Sequence, residues 1–345
     1  MTGQKLIRAA AAWLAAMIAA PLAMAQSVED FYRGKDIRVI IGADVGGTYG
    51  LYAQLAARHM RQYIPGQPNV IMQSMPGAGG NVALNWSYSV APKDGTVMHL
   101  VHAEVLFETL LTRGVKFNAR NYQWIGRFAD ADALVLATKK SGALTLDDAK
   151  QREVTLGATG VNNIFALAPL MLNRLAGTKF RIIGGYKGTS DIYIAMERGE
   201  VDGAGVTFAN VAALHADKLA NGDLKPLFAI SAERMKQYSD VPAIVEFGGG
   251  VERTLMDIYA STAAIGRALA FPPGVPADRL QALRVAFRKA IEDPAFKAEA
   301  AKTGIPLAPM GGAEIADYVE AIARTPAAQI EGARALHEEL IASAK

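Results

Sequence analysis

The chain of 345 residues contains no cysteine. That absence removes disulfides, thiol catalysis, cysteine-bound metal and the lipidated cysteine that would tether an exported protein to a membrane. Excess charge of either sign is also missing, since 36 Lys and Arg stand against 33 Asp and Glu for a formal +3. With neither a basic stripe nor aromatic residues interleaved with one, nucleic acid is not an expected partner. Long apolar runs are confined to the start of the chain. There the stretch from Ala9 to Ala25 contains Pro21 and falls short of the ~20 residues a membrane-spanning helix needs. Catalytic patterns are equally scarce. No nucleophile-elbow sequence occurs, and the five histidines (His59, His99, His102, His215, His337) are scattered. Only His99 and His102 are near one another, on an expected strand and its exit, where they do not share the helical face that metal motifs use. No metal and no cofactor are expected, and Glu104 and Glu108 read as a solvated pair or a helix start.

What the chain does have begins with an address. Lys5 and Arg8 precede an apolar run, and Ala23-Met24-Ala25 supplies a small-x-small cleavage site, the pattern of a secretory signal removed after Ala25. The expectation is export to the periplasm of a Gram-negative bacterium as a soluble chain beginning at Gln26. Beyond that point short β-branched runs alternate with helical patterns, which points to an α/β fold with mainly parallel strands. Strands are expected at residues 37–41, 70–73 and 96–101, with helices at 51–63 and 81–90 between them. A second set of the same kind follows, with strands at 153–156 and 181–183 and helices at 162–175 and 191–198. Two similar assemblies imply two lobes, with one large sheet as the alternative. The boundaries expected are residues 26–130 for the first part of lobe one, 131–250 for lobe two, and 251–345 for the rest of lobe one. In that last part residues 258–266 read as a crossing strand, followed by a helical tail packed on lobe one.

In a parallel sheet, ligands bind where strands end and the chain turns into a helix. Four such turns are rich in glycine or in Ser, Thr and Asn: Val45 to Tyr49, Gly77 to Asn81, Thr159 to Asn163, and Gly185 to Ser190. Glycine lets a backbone approach a ligand, and the free N–H groups of the following helix favour an anion. Each turn alone also serves simple backbone geometry. The outline Gly42-Ala43-Asp44-Val45-Gly46-Gly47-Thr48 lacks the lysine of a phosphate loop. Since none of the four turns contains arginine, charge would be met by amides and by Thr48, Asn81, Thr159, Asn163, Thr189 and Ser190, an arrangement suited to a carboxylate. Tyr49, Phe165 and Phe208 are candidates for an apolar wall.

At these residues the chain resembles the extracytoplasmic receptors of tripartite tricarboxylate transporters, also called Bug receptors. The resemblance is carried by Phe31 to Lys35, Gly46 to Ala53, Pro76 to Gly80, Ala91 to Thr96, Gly185 to Gly188, Glu197 to Gly203 and Pro272 to Pro276, in family order over nearly all of the exported chain. It implies a two-lobed periplasmic-binding-protein (Venus flytrap) fold. The function it implies is capture of a small organic carboxylate, a di- or tricarboxylate or an aromatic one, for delivery to the integral membrane subunits of the transporter. The receptor would act as a monomer without chemistry on its ligand. By that match Val45, Gly46, Gly47, Thr48 and Tyr49, with Gly79, Gly80 and Asn81, carry the contacts of lobe one. Thr159, Gly160, Asn163, Gly188 and Thr189 supply the closing side. One position departs, because the family's first turn usually ends in an aspartate where this chain has Gly50. A sensor feeding a signalling kinase is an alternative; an exported enzyme is another and would need a clustered acid–base pair in the cleft.

Overall fold

The computed structural model describes residues 26–160 and 163–343; the expected signal segment and Asn162 lie outside them. Eleven strands among the described residues form two sheets. The first holds β1 (Asp36–Ile41), β2 (Asn69–Ser74), β3 (Val97–Val101) and β4 (Gln123–Arg127), joined from far along the chain by β10 (Ala268–Phe271) and β11 (Met310–Gly311). The second holds β5 (Ala133–Thr138), β6 (Val154–Gly157), β7 (Phe180–Ile183), β8 (Gly203–Thr207) and β9 (Leu224–Ile230). Their orders are β11-β4-β10-β3-β1-β2 and β7-β6-β8-β5-β9. Each sheet thus repeats one plan: β1 or β6 lies between two parallel neighbours. A reversed strand, β10 or β5, then separates the third from the fourth. The sheets are therefore mixed, the reversed strands being those that enter from the other lobe.

Burial on both faces explains the nearly continuous apolar strands. Ile37, Val39, Ile40 and Ile41 of β1 are fully buried, as are Leu134, Val135, Leu136 and Ala137 of β5. One core packs the first sheet against Phe128, Phe287 and Phe296, and another packs the second against Met171, Leu172 and Tyr259. At about 1.5–3 kcal/mol for each fully buried large side chain, these clusters supply most of the driving force for each lobe.

The stretch expected as a crossing strand is instead the end of the helix Gly250–Ile265. Residues 258–262 taken alone look β-prone, but Leu255, Ile258, Tyr259 and Thr262, all buried, repeat at the three-to-four spacing of a helix. This helix lies beside Val105–Leu111 and the C-terminal helix Ala327–Ser343. Phe107 from one side, and Ile330, Ala333 and Leu336 from the other, share the core built on the second sheet. The tail is thereby divided: Gly312–Ala323 packs on β4, while Ala327–Ser343 packs on Gly250–Ile265.

The chain passes between lobes at residues 128–132 and again where Gly250–Ile265 leads into β10. The two passages are bonded side by side: Arg267 N–H donates to Ala129 (2.8 Å), Phe128 N–H to Arg267 (2.9 Å) and Ala131 N–H to Ala263 (3.0 Å). Gly266 has φ of 53°, and a Cβ there would lie 2.2 Å from the Ala129 carbonyl oxygen. Only glycine lets the strands of this hinge lie so close.

Candidate functional site

The repeated sheet plan places the ends of β1 and β2 on one lobe and of β6 and β7 on the other, so all four glycine-rich turns stand at strand carboxyl ends. The first turn leads into the helix Thr48–Met60, whose N-cap Gly47 offers no side-chain bond. Gly50 is buried in the first turn of that helix, and a Cβ on it would sit 1.9 Å from the Val45 carbonyl oxygen. A glycine is thus built into this turn. Any side chain at position 50, aspartate included, would push residues 45–47 away from the helix start.

The second turn uses Gly77 (φ 135°), Ala78 (φ 46°) and Gly80 (φ 95°) before the helix Asn81–Ser89, which also lacks a side-chain cap. First and second turns touch through glycine, since a Cβ on Gly42 would be 2.9 Å from the Gly80 Cα. His102, from a third turn after β3, fills the angle between them. A Cβ on Gly80 would be 2.2 Å from the His102 Cδ2 and 2.5 Å from its Nε2.

Around His102 lies a set of polar groups that sequence reasoning left apart. Its ring stacks on Tyr49 with centroids 4.6 Å apart and planes 19° from parallel. The Tyr49 hydroxyl accepts from Ala103 N–H at 3.0 Å. Arg267 lays its guanidinium 4.3 Å from the Tyr49 ring centre and brings its terminal nitrogens to 3.5 Å from the Tyr49 and Thr48 hydroxyl oxygens. The expectation of a site without arginine therefore fails for the first turn: the cation comes from the hinge, more than two hundred residues away in sequence. His102 Nδ1 lies 3.3 Å from a Glu104 carboxylate oxygen. Burial works to raise the Glu104 carboxyl, but the bond and charge of His102, its own backbone amide and Arg267 outweigh this and hold it below its ordinary value. Burial also raises the Tyr49 phenol, which stays neutral.

On the second lobe, Asn163 caps the helix Ile164–Ala176 by accepting from Ala166 N–H at 3.1 Å, and donates to the Thr159 hydroxyl at 3.0 Å. Its side chain therefore orders the turn. The helix Thr189–Arg198 follows Gly188 with no side-chain cap. Three of the four helix starts thus leave first-turn amides without a side-chain acceptor, the condition that suits an anion.

A cavity of about 670 Å³ runs between the lobes. Asn81 and Ala78 line it from lobe one, and Thr159, Gly160 and Asn163 line it from lobe two. Leu84, Phe107, Ile164 and Phe165 give it an apolar wall, and His102, Glu104, Glu108 and Thr262 complete its polar surface. Val45, Gly46, Gly47, Thr48, Gly188 and Thr189 do not line it, nor does Tyr49, which is buried behind His102. Phe208 lines a different cavity, of about 490 Å³, with Arg127, Asp130 and Asp132 at the hinge. Of the two neighbouring histidines, His99 belongs to the core: it is fully buried, bonded to Ser87 at 2.8 Å, and pushed down to about 3 chiefly by burial. Glu104 and Glu108, read from sequence as solvated charge or a helix start, face the cleft. Period-four spacing on the segment after β3 was the available signal for them.

His102 and Glu104 have the outline of an acid–base pair. However, Nε2, the nitrogen that would have to face a reacting atom, is buried against Gly80 without a hydrogen-bond partner. The pair braces the turns together.

Two lobes of like topology, joined by a two-stranded hinge and enclosing one cavity between their strand ends, define a two-lobed solute-binding protein. The family model described as tripartite tricarboxylate transporter family receptor matches residues 53–328, and the chain belongs to that family. A UPF0065 protein of Bordetella bronchiseptica is 24% identical over 304 residues, covering 86% of this chain and 81% of the relative. A second UPF0065 protein, from Cupriavidus necator, is 27% identical and covers 85% of each chain. Among solved structures, a TctC solute-binding protein from Polaromonas superposes with a TM-score of 0.66 at 19% identity, covering 90% of this chain and 99% of that one. MatC from Rhodopseudomonas palustris, solved with bound malate, gives 0.58 at 17% identity over 89% and 99%. The two-lobed α/β fold expected from the sequence is that of these proteins.

Proposed function

We propose that this protein is exported by a cleaved signal peptide and captures a small organic carboxylate in the interlobe cleft, as a periplasmic receptor for the membrane subunits of a tripartite transporter. It works as a monomer and leaves its ligand chemically unchanged. The observation that carries the reading is the shared cavity: Asn81 of lobe one and Thr159 and Gly160 of lobe two line one space at strand ends, and the helix that Asn81 opens starts without a side-chain cap. Lobe one grips the carboxylate first with the turn at Gly79 to Asn81, and on closure the amides of the adjoining turn at Val45 to Tyr49 and the Arg267 guanidinium, which stand beside the cavity, come to bear on it as further donors and counter-charge. Lobe two then closes Thr159, Gly160, Gly188 and Thr189 over it about the hinge at residues 128–132 and 266. Each charge-assisted hydrogen bond contributes about 1.5–3 kcal/mol net, so a few suffice to offset desolvation of one carboxylate.

Family membership supports the transport role, and the sealed Nε2 of His102 supports binding without catalysis. The test is a thermal-shift and calorimetric screen of the exported chain against aliphatic and aromatic carboxylates. A ligand at 100 times its Kd adds about 2.7 kcal/mol of stability, and Asn81→Ala and Thr159→Val should each weaken the hit. A folded, ligand-free protein that binds no carboxylate would refute the proposal.

A further inference from the structure

The charges of the interlobe cavity are unevenly placed. Among the described residues its lining includes Glu104 and Glu108 and no Lys or Arg. Glu104 borders the helix Val105–Leu111 and Glu108 lies in it, one turn further on, with Phe107 beside it. Residues four apart share a helix face, where two like charges repel. Their hydrogen-bonding capacity is mostly unspent. Glu104 has one side-chain contact, with His102 at 3.3 Å, and Glu108 has no side-chain hydrogen bond or ion pair among the described residues. Two other half-buried glutamates are paired by contrast: Glu299 with Arg58 and His59, and Glu320 with Arg120 and Arg324. Positive potential gathers elsewhere, at the first two turns, where Arg267 meets Thr48 and two helices begin uncapped.

We infer that the ligand is a monocarboxylate carrying an amino group at its other end, its carboxylate held at Asn81, on the side of the cavity towards the first turn and Arg267, and its ammonium held between Glu104 and Glu108. This deepens the carboxylate-receptor reading and rests on it. An ammonium donates to both glutamates and relieves their mutual repulsion. A dicarboxylate of the same length would set a second negative charge against two others. Leu84, Phe107, Ile164 and Phe165 provide the apolar wall that a methylene chain between the two ends would cover.

The experiment is isothermal titration of the exported chain with matched pairs of increasing length, 4-aminobutanoate against succinate, 5-aminopentanoate against glutarate, and 6-aminohexanoate against adipate. Pentanoate and 1,4-diaminobutane serve as single-ended probes. The best amino carboxylate should bind about tenfold or more tighter than its dicarboxylate partner, the size of one charge-assisted contact. Glu108→Gln should weaken the amino probe about tenfold and at the same time strengthen the dicarboxylate, a pair of opposite changes that general loss of structure does not produce. Glu104→Gln, with its fold checked by circular dichroism, should act in the same directions. Dicarboxylates binding as well as or better than their amino partners, or a preference that survives both substitutions, would overturn the inference and leave the receptor reading standing. Binding of no carboxylate at all, with or without binding of the diamine, would overturn both.

Discussion

Asp132 is the place to test the energetics of the hinge. It lies on the first passage between lobes, where its carbonyl accepts from Phe208 N–H at 2.7 Å. Burial, then the neighbouring Asp130 carboxylate and more weakly Glu233, raises its carboxyl from 3.8 to about 6, against the pull of Arg127. Arg127 cannot offer a full ion pair because its guanidinium donates to the Ala264 and Ala308 carbonyls at 2.5 and 3.1 Å. The native state therefore holds its Asp132 proton more tightly than the unfolded chain. Below about pH 4 both states are protonated and nothing is lost. As pH rises through about 6 the native state must bear an ionised, poorly paired carboxylate, and stability falls. Two pKa units correspond to about 3 kcal/mol, and partial solvent access reduces this to about 1–2 kcal/mol. Asp132→Asn keeps the shape and removes the charge. Urea unfolding at pH 7.5 should show the variant about 1–2 kcal/mol more stable with an unchanged denaturant slope, and the gap should close towards pH 4. Asp130 remains in both proteins, so the difference isolates Asp132. A variant no more stable than the parent at pH 7.5, or a gap that does not change with pH, would refute the reasoning.

Three further outcomes are expected. Gly80→Ala places a Cβ 2.2 Å from His102 at φ 95° and should cost about 2–3 kcal/mol; His102→Ala in the same chain should recover part of that loss in a double-mutant cycle followed by thermal unfolding. Arg267→Ala removes the guanidinium from Tyr49 and Thr48 and should weaken ligand binding by about tenfold to a hundredfold in calorimetry, with Arg267→Lys restoring only part because a planar fork and its stacking are lost. Gly266→Ala should destabilise by at least about 2 kcal/mol, since its φ of 53° and the 2.2 Å approach to the Ala129 carbonyl both oppose a side chain; an unfolding midpoint equal to that of the parent would count against the tightly paired hinge.

The parts of this molecule legible in its sequence are those fixed by short-range rules. The run at 37–41 became β1 because consecutive apolar side chains are buried on both faces, the run at 70–73 became the half-exposed edge strand β2 through its β-branched and apolar residues, and the glycines at 77 and 80 were readable because their φ values of 135° and 95° are ones other residues rarely adopt. The crossing at 258–266 was misread because a helix buried between two lobes loses the polar face that marks helical period, so its local β-prone residues dominate a short window. The site divided along the same line. Asn81 and Thr159 stand at turns, which are local, and they meet in one cavity. Arg267 was invisible as a site residue because nothing near it in sequence distinguishes it from surface charge, and the four-residue spacing of Glu104 and Glu108 fitted solvated charge or a helix start equally well. Their positions follow from two long-range facts, that β10 returns to lie beside β3 and that the segment after β3 faces the second lobe. On the proposed reading the turns supply backbone amides that any carboxylate could use, whereas the charges that would discriminate between ligands come from elements brought in by topology. On that reading substitutions at positions such as 104, 108 and 267, with the turns left as they are, should suffice to change the ligand, which binding measurements on such variants would check.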